Sequence, residues 1–299
     1  MSITLEQGTQ DSLDEVVEAV AGWQQDGVPV QLHPGDLGWN WSLGAPELAE
    51  SLRMWRRDGQ ILAAGMVDDD SGLIRMAVAP SIDGDDVFAE RLLADLSDPG
   101  QGVLPVGAGA VEARCGAAFR GLLDRRGWVA DEPWTPLCRD LTTPVEDCGL
   151  RVEVVDPRHV EDMAVEDRTL EDRVAVQRAA FATSTFTLER WRTMAGGSPY
   201  RRARCLVAYD GADAAVATVT VWSAGAGRPG LIEPLGVHRD HRGQRHGTAI
   251  TVAAASALRE MGSSSVAVCT PTSNAGGVAA YVSAGFRRLP DLTDFRRPS

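Results

Sequence analysis

The sequence predicts an α+β fold made of two tandem domains, residues 1–145 and 146–299. The chain has 299 residues, and a length near 150 is typical of a single domain. Short β-branched segments alternate along it with segments whose apolar residues recur at helical spacing. The order helix, strands, helix, strand, helix, strand occurs in both halves. A short polar segment, broken by Pro144 and Gly149, separates them.

Composition indicates an ordinary globular protein. Apolar residues make up 44% of the chain, and no apolar run reaches the roughly twenty residues of a membrane span. The N-terminus lacks the basic and apolar regions of a secretory signal, so we expect a cytoplasmic protein with no membrane partner. Its five cysteines are scattered and form no C-x-x-C pair, which argues against a disulfide framework or a zinc site.

The charge of the chain limits its partners. A net charge of −13 argues against nucleic acid, because phosphate binding needs a basic face. The same charge permits a cationic substrate such as an amine, although solubility alone also explains it. All 29 basic residues are arginine, a usage that is typical of GC-rich bacterial genomes.

In the N-terminal half, one stretch is expected to be irregular. Residues 28–50 are rich in proline and glycine, so Trp39 and Trp41 are expected in a loop, where they either line a pocket or cap a small core. The predicted elements are a helix at 12–27, strands at 60–67 and 72–79 joined by a turn at 68–71, a helix at 87–96, a strand at 106–114, a helix at 117–126 and two strands flanking Pro133 and Pro136.

In the C-terminal half, segments with apolar residues at helical spacing again alternate with short strand-like segments. The predicted strands are 150–155, 204–209, 214–222, 231–237 and 265–270, and the predicted helices are 168–181, 188–194 and a longer one through 250–261.

A turn between the strand 231–237 and the long helix has the features of an anion site. It carries Arg239, Arg242 and Arg245, together with Gly243 and Gly247. Glycine lets the backbone approach a ligand closely, and the first N–H groups of a helix have no partner within the helix. Because the helix dipole also favours negative charge there, we expect a phosphate or pyrophosphate at this turn.

The run 237–247 resembles the acyl-CoA signature V-x-P-x-x-R-x-x-G-x-G/A of the GNAT N-acetyltransferases. The matching positions are Val237, Arg242 and Gly247, whereas Arg239 replaces the usual proline and Arg245 the first glycine. Downstream, residues 274–286 resemble the family's N-x-x-A/G-x-x-x-Y-x-x-x-G-F element. The resemblance covers 150–299 and implies, for each domain, a mixed and mostly antiparallel sheet flanked by helices.

The resemblance implies acetyl-CoA as co-substrate and an N-acetyltransferase that acts on a primary amine of a small molecule by direct attack. A longer acyl group remains an alternative, as does a non-catalytic acyl-CoA-binding sensor or scaffold. The residues implied to hold the co-substrate are Leu235, Val237, Arg242, Gly243, Gln244, Arg245, Gly247, Thr248 and Asn274. In this family the helical region after residue 168 closes over the acceptor. The candidates to line its pocket, or else to belong to the core, are therefore Phe181, Phe186, Trp191 and Tyr200.

Two residues are candidates for proton transfer. Glu233 is the only carboxylate of its strand and shares strand parity with Val237, so it should face the co-substrate if no bulge intervenes. The alternatives are a salt-bridged or solvent-facing glutamate, or proton loss through ordered water. By the resemblance Tyr281 is the general acid, since its hydroxyl can protonate the leaving thiolate; the alternative is a core aromatic residue. Pro234 is consistent with a strand that splays from its neighbour.

Other sets of residues are weaker candidates. The histidines at 238, 241 and 246 are spaced for metal ligands but lack a carboxylate or cysteine to complete the set, so no metal is expected. Cys269 has no histidine near it in sequence to support a covalent acyl-enzyme. In the N-terminal half, residues 76–80 resemble 235–239, but acidic residues follow instead of arginines. We therefore expect a degenerate domain without a cofactor site, in a monomer or homodimer.

Overall fold

The computed structural model describes residues 2–68, 72–107, 109–156 and 168–298. The predicted turn at 68–71 lies mostly outside this range. The chain forms two compact units, each assembled from separate stretches of sequence. Unit 1 consists of Met1–His33, Ala45–Thr135 and Pro290–Ser299, and unit 2 of Pro34–Gly44 and Pro136–Leu289. These units differ from the predicted ranges 1–145 and 146–299 in three segments, which are 34–44, 136–145 and 290–299.

Unit 1 is a mixed sheet with helices. Its strands lie in the order β1-β2-β3-β4-β5-β13-β6, and every pair is antiparallel except β4 with β5. The strands are β1 (Ile3–Gln7), β2 (Leu52–Arg57), β3 (Gln60–Asp68), β4 (Leu73–Val78), β5 (Ala110–Glu112), the first part of β6 (Val129–Asp140) and β13 (Leu292–Arg296). The helices are α1 (Leu13–Gly22), α3 (Ala45–Ser51), α4 (Asp86–Ser97) and α5 (Ala117–Arg125).

Unit 2 has the same kind of sheet, with strand order β6-β11-β10-β9-β8-β7. The pair β10–β11 is parallel, whereas the pairs β7–β8, β8–β9 and β9–β10 are antiparallel. The strands are β7 (Arg151–Val154), β8 (Ala203–Tyr209), β9 (Ala215–Ser223), β10 (Gly230–Val237), β11 (Ser265–Pro271) and the short β12 (Arg287–Arg288), which pairs with β6. The helices are α2 (Pro34–Asn40), α6 (Arg168–Ala180), α7 (Leu188–Gly196), α8 (His246–Glu260) and α9 (Ala275–Ser283).

The core of unit 2 lies between α8 and the sheet. Alternate residues of β9, among them Val219 and Val221, pack against Ile250 and Ala254 of α8. The intervening residues of β9, including Thr220, face the opposite side of the sheet, as strand alternation requires. The four-residue repeat that predicted α8 is therefore the face that this helix buries.

The expectation that residues 28–50 are irregular was wrong. The segment contains α2, a 3-10 turn at Trp41–Leu43, and the start of α3. Gly35 and Gly38 lie one helical turn apart and face the buried Trp222 ring, so that an added Cβ would lie 2.6 and 2.3 Å from ring carbons. These glycines read as loop residues in the sequence, but they are required by a close contact that the sequence does not show.

Other differences concern short or edge elements. The strands β1, β2 and β13 were not predicted from the sequence. Two strands were predicted around Pro133 and Pro136, where the structure has one strand, β6. The strand predicted at 106–114 is only three residues long, and the helix predicted at 12–27 ends at Gly22. No helix within the described residues is both long and apolar enough to cross a membrane.

Candidate functional site

The strand β10 contains a bulge at the point where Glu233 and Pro234 lie. Ile232 pairs with Val221 and Leu235 with Val219, so one extra residue is accommodated on β10. The expectation that Glu233 and Val237 face the same side of the sheet holds only for a regular strand. Because the bulge interrupts the strand at Glu233, that expectation no longer applies. The Trp222 indole nitrogen donates a 2.6 Å hydrogen bond to the Glu233 carbonyl and thereby fixes the bulge.

The strand β10 also separates from β11 as predicted. The two strands pair at Gly230 and Leu231, and within the described residues no pairing continues beyond Leu231. Among the described strands, the second half of β10 therefore pairs with β9 alone. Backbone groups between Leu235 and Val237 are left available on the side of the gap.

The turn after β10 delivers the chain to an open helix N-terminus. Gly243 (φ 79°) and Arg245 (φ 66°) both adopt the left-handed conformation. Arg245 is the N-cap residue of α8, and its side chain makes no capping hydrogen bond. Arg245 therefore adopts, at a steric cost, the conformation that the family's glycine provides freely. The result is a set of uncapped amides at a positive helix end.

A cleft of about 670 Å³ opens at this helix end. It is framed by β10, the turn, α8 and α9, which meet at Gly247: an added Cβ there would lie 3.6 Å from Val237 and 3.7 Å from Ala280. Its lining includes the predicted residues Leu235, Val237, Arg242, Gly243, Arg245, Gly247, Thr248 and Asn274. Gln244 is not part of the lining.

The cleft also has a wall that the sequence reading missed. His246 and the α9 residues Gly276, Gly277, Ala279, Ala280 and Ser283 complete it. The signal was the run of small residues after Asn274, which leaves the surface of α9 open to close approach. Asn274 itself caps α9, accepting from the Gly277 amide at 3.1 Å and donating to the Thr270 hydroxyl at 2.9 Å.

The arginines of the turn have partners that the sequence could not reveal. Arg239 Nε donates to the Ala179 carbonyl at 2.9 Å, and Arg242 donates to the Ala180 carbonyl at 2.7 Å. Both carbonyls belong to the last turn of α6, which carries negative partial charge. These two side chains therefore hold the end of α6 against the turn.

Glu233 and Tyr281 are electrostatically coupled, although neither is among the described residues that line the cleft. Burial raises the pKa of the Tyr281 hydroxyl well above its usual value, and the negative charge of Glu233 raises it further. Tyr281 packs against the unit 2 core and contacts Phe286 with ring centroids 5.7 Å apart. Its hydroxyl therefore keeps its proton at neutral pH.

The aromatic residues Phe181, Phe186 and Trp191, predicted to line the acceptor pocket, lie in different environments. Phe181 is exposed beside Gly236 of β10, with 39% of its surface accessible. Phe186 is buried and stacks on Trp39 at 5.1 Å. Trp191 is fully buried and donates to the Cys205 sulfur at 3.4 Å, so in this structure it is a core residue.

The three histidines of the turn form a contiguous group. The rings of His238 and His241 are 5.3 Å apart, and those of His241 and His246 are 6.3 Å apart. Burial, with a smaller contribution from His241, lowers the pKa of His246, so that it is neutral at pH 7. Within the described part of the chain no group of three or more histidine, cysteine or acidic side chains is arranged to hold a metal ion.

In unit 1, carboxylates occupy the corresponding helix ends. Asp85 caps α4 by accepting from the Phe88 amide at 2.9 Å, and Asp83 accepts from the Gly116 and Ala117 amides at 3.2 and 3.0 Å, at the start of α5. These intramolecular anions take the amides that a phosphate would need, and they would repel it.

Comparison with known proteins agrees with this geometry. Residues 166–286 match the model of the acetyltransferase (GNAT) family. Three solved structures share the fold over nearly the whole chain. They are an acetyltransferase of the GNAT family from Colwellia psychrerythraea (TM-score 0.63, 13% identity, all of both chains covered), a tandem GNAT protein from the clavulanic acid biosynthesis pathway (0.61, 15%, all of both) and a GCN5-related N-acetyltransferase from Sphaerobacter thermophilus (0.54, 18%, 99% of this chain and 95% of that one).

No curated protein matches the sequence. Fold and family model together define an α+β protein of the tandem GNAT type. Residues 166–286 match the GNAT acetyltransferase family, whose members use an acyl-CoA co-substrate.

Proposed function

We propose that the chain is an N-acetyltransferase that transfers the acetyl group of acetyl-CoA to a primary amine of a small molecule. One observation carries the proposal: the uncapped N-terminus of α8, with left-handed Gly243 and Arg245 before it, faces a cleft of about 670 Å³. Backbone amides at such a helix end suit a pyrophosphate. The gap between β10 and β11 suits an extended amide-bearing arm that pairs with the backbone of Leu235 and Val237.

The chain's own residues would then handle two protons. Direct attack forms the C–N bond and breaks the C–S bond within a ternary complex. Glu233, directly or through water, accepts the proton that the amine loses. Tyr281, whose raised pKa keeps it protonated, donates to the departing thiolate. The charge of Glu233 acts on the Tyr281 hydroxyl, as expected if both side chains serve one reaction.

Calorimetry tests the co-substrate site. Titrating acetyl-CoA into the protein should show binding that Gly247→Asp abolishes, because the new carboxylate would enter the cleft beside the helix end. Gly84→Asp is a matched control: it adds the same charge in the acidic turn of unit 1, where an added Cβ meets nothing within 4 Å. Loss of binding in the Gly84 variant alone would place the co-substrate in unit 1 and refute the assignment.

A second candidate is a non-catalytic acyl-CoA-binding sensor or scaffold. The position of Glu233 and Tyr281 outside the cleft lining favours it. Release of CoA thiol in the presence of a broad panel of amines separates the two. Tight acetyl-CoA binding without thiol release from any amine would establish the sensor and exclude the transferase.

A further inference from the structure

Arg173, in the middle of α6, is fully buried and has no carboxylate partner among the described residues. Its terminal nitrogens donate to the Gln177 side chain at 3.1 Å and the Thr220 hydroxyl at 3.4 Å, and its Nε has no hydrogen-bond partner. A guanidinium stays charged inside a protein, and burying a charge without a counter-charge is unfavourable. The arrangement therefore lacks one negative group.

Three other arginines with little side-chain exposure are paired with carboxylates. Arg56, with 14% of its side chain exposed, contacts two glutamates at 2.9 and 2.6 Å, and Arg114, with 6% exposed, contacts Glu112 at 3.2 Å. Arg139, with 13% exposed, pairs with a glutamate as well. Arg173 is buried more deeply than any of these three, so its unpaired charge is a departure that needs an explanation.

A second donor lies unsatisfied in the same place. The buried Tyr200 hydroxyl adjoins the Cys205 thiol, a weak partner, and bonds to no oxygen or nitrogen of the described residues. Cys205 in turn contacts the Thr220 hydroxyl at 3.1 Å, which is the hydroxyl that Arg173 reaches. The positive charge of Arg173 lowers the pKa of Tyr200 against the larger rise caused by burial, as expected for neighbouring groups.

This pair of donors lies beside the candidate chemistry. Thr220 sits on β9 between Val219 and Val221, whose partners on β10 flank the bulge at Glu233. Adjacent strands are separated by about 4.8 Å, so the hydroxyl that Arg173 bonds is one strand away from the Glu233 backbone. An acceptor that bridges the two positions would therefore be small.

Two aromatic rings cover the guanidinium. The ring of Phe186 lies 5.0 Å from the guanidinium carbon of Arg173, and Trp39 stacks on Phe186 with planes 17° apart. Phe186 belongs to the connection between α6 and α7. An acceptor would reach Arg173 once the Phe186 side chain turns aside, and the rings would then exclude water from the pair.

We propose that the acceptor amine carries a carboxylate, whose oxygens accept hydrogen bonds from Arg173 Nε and the Tyr200 hydroxyl while its amine lies at the Glu233 bulge. The proposal rests on the acetyl transfer proposed above and names its substrate class. A single guanidinium balances a single negative charge, which favours a carboxylate over a doubly charged phosphate.

Matched acceptors test the proposal. The kcat/KM of the protein should be measured with α-amino acids and with the amines that differ from them only by lacking the carboxylate. We expect a preference for the acids of roughly thirtyfold or more, the effect of losing one partner of a buried charge pair. Arg173→Gln should remove the preference by raising KM for the acids alone, whereas Arg178→Gln, an exposed arginine of the same helix, should preserve it. Equal kcat/KM values for acids and amines would overturn the proposal.

Binding provides a readout that does not depend on turnover. N-acetylated amino acids should raise the unfolding temperature of the CoA-saturated protein, and N-alkylacetamides without a carboxylate should not. The wild-type comparison decides even if Arg173→Gln fails to fold. No shift with any of the twenty N-acetylated amino acids would refute the carboxylate site. A carboxylate-dependent shift without CoA release from any amine would instead refute acetyl transfer and leave the site standing.

Discussion

Tyr281→Phe separates catalysis from stability. The Tyr281 hydroxyl makes no hydrogen bond to any described residue and sits where burial raises its pKa. Removing it therefore breaks no hydrogen bond within the described part of the chain, and Tyr281 is only partly buried, so the change in stability should be small. Because the ring remains to pack against Phe286, we expect the variant to be about as stable as the wild type.

The same substitution should slow turnover. A positioned general acid contributes roughly 10²- to 10⁴-fold, so we expect kcat to fall at least about 100-fold with little change in the Kd for acetyl-CoA. Since the pKa of Tyr281 is raised, its proton is retained up to pH 10. Wild-type activity should therefore show no alkaline decline below that pH. The measurements are CoA-thiol release across pH and urea unfolding of both proteins.

Tyr209→Phe is a control for which the opposite effects on stability and turnover are expected. Its hydroxyl donates to Asp172 at 3.0 Å, and a hydrogen bond to a charged group is worth about 1.5–3 kcal/mol. This variant should lose stability and keep kcat. Unchanged turnover in the Tyr281 variant would remove the acid role. A loss of turnover in step with unfolding would show that Tyr281 is only a core aromatic residue.

Three further predictions concern the helix end at Arg245, the packing of Gly38 and the titration of Asp294. Arg245→Gly frees a left-handed position, so thermal unfolding should change little while calorimetry shows acetyl-CoA binding weakened about two- to fivefold by the lost charge. Gly38→Ala would bring a methyl group within 2.3 Å of Trp222 and should lower the free energy of unfolding, measured in urea, by about 1–3 kcal/mol. Gly22→Ala is the control: an added Cβ there meets no atom within 4 Å, so the free energy of unfolding should rise by about 0.5–1 kcal/mol. Equal effects of the two substitutions would refute the close contact. Burial raises the pKa of Asp294 from 3.8 to about 6, so the folded state binds this proton more tightly than the unfolded state, and stability should fall by roughly 2 kcal/mol as pH rises from 4 to 6. Asp294→Asn should remove that dependence, which urea titrations across pH would detect.

The elements around the cleft were predictable because their signals are local. The spacing of apolar residues and the residue types predict the strand 231–237, the turn rich in arginine and glycine, and the helix after it. The tertiary partners were not. Which carbonyls Arg239 and Arg242 bind depends on where α6 ends in space, some sixty residues earlier in the chain. No sequence pattern specifies that position.

The bulge at Glu233 shows the limit of strand parity as a guide. Alternation predicts the facing of each side chain only while pairing is regular, and Pro234 signals an interruption without giving its size. Arg173 was missed for a related reason. An arginine beside the apolar stripe of an amphipathic helix ordinarily reaches solvent. Only the structure shows that this one is covered by Phe186 and Trp39.

The contrast between the two units explains how one fold is used in two ways. Both begin a helix after a central strand, and both therefore present unpaired amides at a positive end. In unit 1, Asp85 satisfies them from within the chain and pairs with Arg57 at 2.6 Å. In unit 2, Arg245 takes the cap position in a left-handed conformation and supplies no acceptor. The first amides of α8 are therefore left open to solvent or, as proposed above, to the phosphates of a bound co-substrate, whereas Asp85 already caps α4.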